Sequence, residues 1–511
     1  MCRFLPTASL LMALAQPAAA EPRSAIPWLS DALQTAPDAG PAALPPSAGI
    51  EVLRLDDPPS DGVGLLSSRI TGLPADLWGP TSLLRARRLI LSVAGRGVPA
   101  AQELYRTLLL AATLPPKGRG PGAPLLRTRI DRLMQMGALE EAYELLVQSG
   151  LSTPDFLLRR FDIALLTGQE HRACDALLNR RDVQPTAAAR IFCLARGDAW
   201  AEAVVALAVA RESGEISPAE QALFARFLET QETPPDAAVE PPEILTPLAY
   251  VMLLAIGAGA EAAADTSLPV AFYHLDIGPN APPRAQMLAA EHLVASGGLS
   301  YPLLFHAYRG GTPAASGGVW SRAEAVQELD AALASGDPHR VVRELPEADQ
   351  LLGEIGLRVA FAREFAPYLA AMPAEAGFEP ARMAALLLLG GQAAAARRWI
   401  DETAPLRYRV AMAVADPAYP VEEAREGTLE HAALRAFRPE RPDVPVLQEL
   451  LALLAEGRTG EALLRALALL DARTEIEPGD LTAALHLLAA AGQGDAARRI
   501  AVETLLMFED G

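Results

Sequence analysis

The chain has 511 residues, 51% of them hydrophobic and 21% charged, with 63 acidic against 44 basic side chains. That apolar content excludes a disordered polymer, and three cysteines are too few for a disulfide-stapled mini-domain. A net charge of −19 excludes nucleic acid as the expected partner, because duplex binding rests on cations meeting phosphates. Aromatic residues, at 5%, are sparse for a sandwich or barrel, while the strong helix formers Ala and Leu dominate. The composition predicts an all-α protein.

The amino terminus reads as an export signal. Met1-Cys2-Arg3 is a short positive region, Phe4 to Ala15 is apolar, and Ala18-Ala19-Ala20 precedes Glu21 with small residues where signal peptidase cuts. An apolar stretch this short cannot span a bilayer core of about 30 Å as a helix. Cys2 lies too early for a lipoprotein cleavage box. No later segment is long enough to cross a membrane, the nearest being Leu248 to Ala258, which reads as a buried helix. The expected location is therefore the periplasm, after removal of residues 1–20.

Residues 21–80 carry Pro41, Pro45, Pro46, Pro58, Pro59, Pro74 and Pro80 and little helical period, so an extended arm is expected, with a short strand possible over Ile50–Leu55. Helical patterning begins near Thr81 and runs to the end. It is interrupted at Lys117–Pro124, Glu229–Pro247, Arg309–Val319 and Asp416–Pro445. The expected organisation is an N-terminal helical-repeat lobe over 81–230, a Pro-rich linker or loop over 231–247, and a C-terminal helical-repeat lobe over 248–511.

A Gly followed five residues later by Ala recurs at Gly137/Ala142, Gly168/Ala173, Gly391/Ala396, Gly457/Ala462 and Gly492/Ala497. Gly197 begins a sixth copy whose alanine, Ala203, comes one position late. The physics is an αα-hairpin. Gly ends one helix in a left-handed conformation, and Ala sits where the next helix crosses closest. Spacings of roughly 30 to 35 residues indicate stacked helix pairs, none able to bury its apolar face alone. Pro154 follows Gly137, and Pro185 follows Gly168, at the same interval.

These residues resemble the tetratricopeptide repeat, which has a small turn residue, Ala in its second helix and Pro at its end. The family's Trp near the start of the first helix is missing throughout. The resemblance is good over 125–230, fair over 383–511 and weak between. It implies a degenerate, superhelical α-solenoid of antiparallel helix hairpins, about ten to twelve of them, offering a long surface for peptides or proteins. Helix starts are expected at the capping boxes Ser217–Glu220 and Ser321–Glu324 and at Thr153 before Pro154.

Catalytic motifs are not apparent. The seven His residues lack ligand spacing for a metal site, no GxSxG elbow occurs, and the glycines at 310, 311, 317 and 318 are not followed by the Lys-Ser/Thr of a phosphate loop. Neither a cofactor nor a metal is expected. Glu212-Ser213 resembles the Glu-Ser of lytic transglycosylases, some of which carry a long helical superhelix. The Gly-Leu-Met-Gln that follows in that family is absent here, so a solvated helix end is expected instead.

Two features remain. Cys174 and Cys193 lie about equally far from the turn near Asp182–Pro185, on what should be antiparallel neighbours. They could form a disulfide worth roughly 3 kcal/mol in an oxidising compartment, or be two small buried residues at a helix seam. Between Arg85 and Arg132 the chain is strongly basic (Arg85, Arg87, Arg88, Arg96, Arg106, Lys117, Arg119, Arg127, Arg129, Arg132), opposed only by Glu103 and Asp131. Such a patch could dock an acidic partner, contact anionic lipid peripherally, or meet the protein's own carboxylates.

The function expected from these features is a non-catalytic periplasmic scaffold or adaptor that binds protein or peptide partners of a cell-envelope machine. The alternative is a peptidoglycan-acting enzyme or its accessory subunit, with a site hidden in 265–345.

Overall fold

The computed structural model describes residues 61–118, 122–178, 185–229, 241–259, 268–311, 317–471 and 476–507. The expected signal peptide, the strand at 50–55 and most of the expected arm lie outside them. Among the described residues every regular element is helical, apart from isolated bridges.

The N-terminal group is α1 (Ser68–Thr71), α2 (Leu83–Ser92), α3 (Pro99–Leu110), α4 (Pro124–Gln135) and α5 (Leu139–Ser149). Then come α6 (Pro154–Leu166), α7 (Glu170–Leu178), α8 (Ala187–Arg196), α9 (Trp200–Ser213), α10 (Pro218–Glu229) and α11 (Pro247–Ala255). A 3-10 turn over Val270–Asp276 leads to α12 (Pro283–Ala295), α13 (Tyr301–Gly310), α14 (Val319–Ser335), α15 (Pro338–Glu354) and α16 (Arg358–Leu369). The chain ends with α17 (Pro380–Leu389), α18 (Ala393–Ala396), α19 (Leu406–Ala415), α20 (Leu429–Ala436), α21 (Pro445–Ala455), α22 (Thr459–Leu469), α23 (Pro478–Ala490) and α24 (Gly494–Met507).

Local chemistry explains most of the starts. Pro124, Pro154, Pro247, Pro380, Pro445 and Pro478 open helices at the first position, where a missing N–H leaves no bond unmade. The Ser217 box is reciprocal: Ser217 N–H donates to Glu220 Oε2 at 2.8 Å, and Glu220 N–H donates to Ser217 Oγ at 3.2 Å. At Ser321 the expectation fails. The positive φ of Gly317 and Gly318 turns the chain earlier, α14 begins at Val319, and Ser321 Oγ accepts from Gly317 N–H at 2.9 Å.

The turn glycines have one geometry. Gly137, Gly168, Gly391, Gly457 and Gly492 all lie at φ between 69° and 81°. Each precedes a helix that carries its alanine: Ala142 in α5, Ala173 in α7, Ala396 in α18, Ala462 in α22 and Ala497 in α24. Ala142, Ala396, Ala462 and Ala497 are completely buried, and Ala173 is buried with a trace of exposure. The late sixth copy also has a cause. Gly197 is not left-handed there; Asp198 is, at φ 61°, so the five-residue interval runs from Asp198 to the fully buried Ala203.

Packing departs from an open array, in which first and last pairs stay apart. Here α24 packs on α3, and α22 packs on α2 and α3. Gly460 N–H donates to Leu77 O at 2.7 Å, and Gln493 donates to Thr71 O at 3.1 Å. Gly79 lies so close that a Cβ there would be 2.2 Å from the Gly457 carbonyl oxygen. Residues 61–80, the end of the expected arm, thus belong to the core: Leu66, Leu73, Leu77 and Trp78 are buried. Bridges from Leu66 to Ala111 and from Ser82 to Lys117 bind this stretch and the start of α2 to the segment after α3.

Described helices on both sides of residues 231–247 share a core. Buried side chains form one large cluster, drawn from 66–166 and 250–506, and a smaller one over 157–256. The apolar α11 lies beyond the Pro-rich stretch but packs back on α10 and α6, because Leu248, Val251, Met252 and Leu253 need a buried face.

Candidate functional site

The basic stretch is drawn largely into the fold. Arg129 is completely enclosed and donates to the carbonyls of Leu109 (2.6 Å), Val63 (2.6 Å) and Ala111 (2.9 Å). Burial pulls its pKa down to about 10, against the Asp61 carboxylate, so it stays charged at neutral pH. Arg85 donates to Glu461 at 3.0 Å, Arg87 to Thr128 Oγ1 at 3.0 Å, and Arg132 to the Tyr105 hydroxyl at 3.1 Å. Arg106 pairs with Glu141 and donates to Gly297 O, and Arg127 pairs with Asp155. Arg88 and Arg96 are exposed. Of the three destinations open to these cations, the protein's own acceptors receive most of them.

Several acceptors come from sequence-distant helices and were not legible as a set. Glu461, fully buried in α22, accepts from Arg85, Arg458 and Arg465. Burial works to raise its pKa, but hydrogen bonds from Arg458 and Arg85 outweigh that and hold it below the usual carboxylate range. Glu503 in α24 accepts from Arg363 at 2.9 Å and from the Ala100 N–H at 2.7 Å. A glutamate in the middle of an apolar helix gives no sequence sign of a partner hundreds of residues away.

Three histidines bond backbone carbonyls. His274 Nε2 lies 2.6 Å from Gly137 O, His431 Nδ1 3.1 Å from Ala424 O, and His486 Nδ1 3.0 Å from Ala436 O. Among the described residues no three His, Cys, Asp or Glu side chains group as metal ligands, and no helix is long and apolar enough to cross a membrane. Glu212 and Ser213 end α9, and Ser213 Oγ donates to Ala210 O and to Glu215.

The repeat positions form no surface of their own. Ala142, Ala173, Ala396, Ala462 and Ala497 lie inside the helix contacts, where a ligand cannot reach them. Their part is to let neighbouring backbones approach, and binding has to use side chains that point elsewhere.

Such a surface lies on the hairpin of α8 and α9. The sequence of α9, WAEAVVALAVARES, is apolar nearly all round, which ordinarily marks a helix enclosed on every side. Only Ala203 and Ala210 are buried. Val205 is 63% exposed, Val209 60% and Val204 47%. A groove of about 600 Å³ runs between this face and α8, with Ala187, Arg190 and Leu194 on one wall and Ala201, Val205, Ala206 and Val209 on the other. Glu202 and Glu215 stand at its two ends along α9.

The α8 wall of the groove is braced from behind. Cys174 of α7 and Cys193 of α8 are joined as a disulfide, with Cα atoms 5.1 Å apart. The adjacent Phe192 is buried, stacks on Phe227 at 5.8 Å and meets Phe161 edge-on at 6.4 Å. Arg196 lies over the Phe192 ring and pairs with Glu170 at 2.7 Å. Of α8, one face is thus tied to its neighbours while Ala187, Arg190 and Leu194 point into the groove. Chemically, this surface can bury apolar area; fully burying one Val is worth about 1.5–3 kcal/mol. Sequence reasoning missed it, although the signal was present in the unbroken apolar run of α9. No family model, curated protein or solved structure matches the chain.

Proposed function

We propose that this protein is a non-catalytic scaffold or adaptor of the periplasm, built from degenerate tetratricopeptide-like helix pairs, and that it holds a protein partner of a cell-envelope machine on the groove between α8 and α9. One observation carries the reading: α9 presents Val205 and Val209 to solvent along a groove whose other wall, α8, is tied to α7 by the Cys174–Cys193 bond. Contiguous exposed apolar surface of this kind marks interaction sites in monomers. The basic stretch over 85–132 supports it by contrast, since most of its cations already have acceptors within the chain.

The test is a photo-crosslinking residue at position 205, with a control at exposed position 88, in intact cells of the source organism. A protein adduct from 205 and none from 88 is expected, in a cell fraction released with the periplasm. Adducts from 88 instead, or a protein retained in the cytosol, would overturn the proposal. Release of muropeptides from sacculi by the purified protein would favour an enzyme.

A further inference from the structure

We infer that the occupant of the groove is an amphipathic α-helix of a partner protein, three to four turns long, with basic residues at both ends of its apolar face. This rests on the scaffold reading above. The first argument is backbone chemistry. An extended peptide must find partners for its N–H and C=O groups, ordinarily a sheet edge. The α8 and α9 walls are helices whose backbone is bonded internally, and they offer Ala, Val and Leu side chains, with Arg190 along the α8 wall and carboxylates toward the ends of α9. A helix arrives with its own hydrogen bonds made.

The second argument is shape. Along α8 the inward residues are Ala187, Arg190 and Leu194; along α9 they are Ala201, Val205 and Val209. These steps of three and four are the ridges into which a third helix packs its own side chains. Small residues on both walls allow close approach.

Charge and length complete it. Glu202 lies at the start of α9 and Glu215 just beyond its end, about 20 Å apart at 1.5 Å per residue. Glu202 is exposed, and so is Glu215, whose carboxylate accepts from the Ser213 hydroxyl at 3.1 Å. Arg190, on the opposite wall, is the single cation lining the groove. Two carboxylates at the ends of an apolar trough favour a ligand that is apolar in the middle and cationic at both ends.

The decisive experiment places the crosslinker at Val205 in the full-length protein in cells and maps the adduct to residues of the captured chain by mass spectrometry. The expected adduct falls in a segment with apolar residues at helical spacing, flanked by Lys or Arg. The double variant Glu202→Lys, Glu215→Lys should lower its yield about tenfold, with the Cys174–Cys193 bond and thermal unfolding unchanged, since both sites are exposed. Adduct yield unchanged by the double variant overturns the inference. So does an adduct in an acidic or extended segment, although that outcome leaves the scaffold reading intact. An adduct to lipid or to a second copy of this chain, or no adduct at all, overturns both.

Discussion

Two parts of the molecule apply the same helix-pair grammar to opposite ends. Where α2 and α3 meet α22 and α24, carboxylates sink into the contact and take cations from across the chain, while Leu84 and Leu91 on the far side of α2 stay exposed. Where α8 and α9 meet, the hairpin turn is equally well formed, yet the outer face of α9 stays apolar and uncovered. A turn residue with positive φ and a small partner make a hairpin; they do not say whether its outer face is finished. Ala462 and Ala497 on one side and Ala203 on the other are all completely buried, although the faces beyond them differ. That difference is decided by what else packs there. The first region is a closure and the second an open surface.

Substitutions should separate the two regions, and the largest effect belongs beside the closure, where α4 clamps Val63 to the end of α3. Arg129→Met leaves three carbonyl acceptors inside the protein without their donor, and should cost about 3–5 kcal/mol in urea unfolding. A loss below about 1 kcal/mol would mean that water or another donor replaces the guanidinium.

Gly79→Ala comes next. Its Cβ would meet the Gly457 carbonyl oxygen at 2.2 Å, in a backbone at φ 43° that L side chains rarely adopt. About 2–3 kcal/mol of destabilisation is expected. The contact of residues 61–80 with α22 would loosen, readable as faster amide exchange at Gly460. Protection at Gly460 that matches the parent would show that the contact is not tight.

Reduction of Cys174–Cys193 acts on the other region. Opening a loop of this size costs roughly 3 kcal/mol of local stability. Hydrogen exchange should speed up over α7 to α9 and hold steady over α22 to α24, because the smaller buried cluster is separate from the larger. Uniform acceleration across the chain would deny that separation.

A pH titration gives a finer distinction. Burial raises Asp162 in α6 to about 7, opposed by Arg159 and assisted by Asp131. The folded protein therefore holds a proton that the unfolded chain has lost, so this contribution is complete below the ordinary carboxylate range and disappears as pH rises through 7. Asp162→Asn should differ little from the parent near pH 4 and exceed it in melting temperature near pH 8. Equal melting temperatures at both pH values would remove Asp162 from the account.

The smallest effect sharpens the comparison most. Val205→Ser with Val209→Ser should change stability by no more than about 0.5 kcal/mol, since both side chains are largely exposed already. A loss of several kcal/mol would mean that the face of α9 is part of the protein's own core.

The helical class, the hairpin turns and many helix starts were legible because each depends on residues within a few positions: a left-handed glycine, an alanine five residues on, a proline at the first turn. Even the late Ala203 obeys the interval once Asp198 is recognised as the left-handed residue. The candidate surface was half legible. The apolar run of α9 is plain in the sequence, but periodicity cannot say whether such a helix is covered.

Sequence alone therefore determined where the rods begin, turn and pair, since backbone conformation and capping are short-range. It also offered the two cysteines as possible neighbours. Only tertiary structure decided that Arg129 clamps three carbonyls, that Glu461 and Glu503 receive arginines from far along the chain, and that α11 returns to α6. The physical reason is range. Charge pairing and burial depend on which surfaces meet in space, and no local pattern encodes which helix will lie beside which.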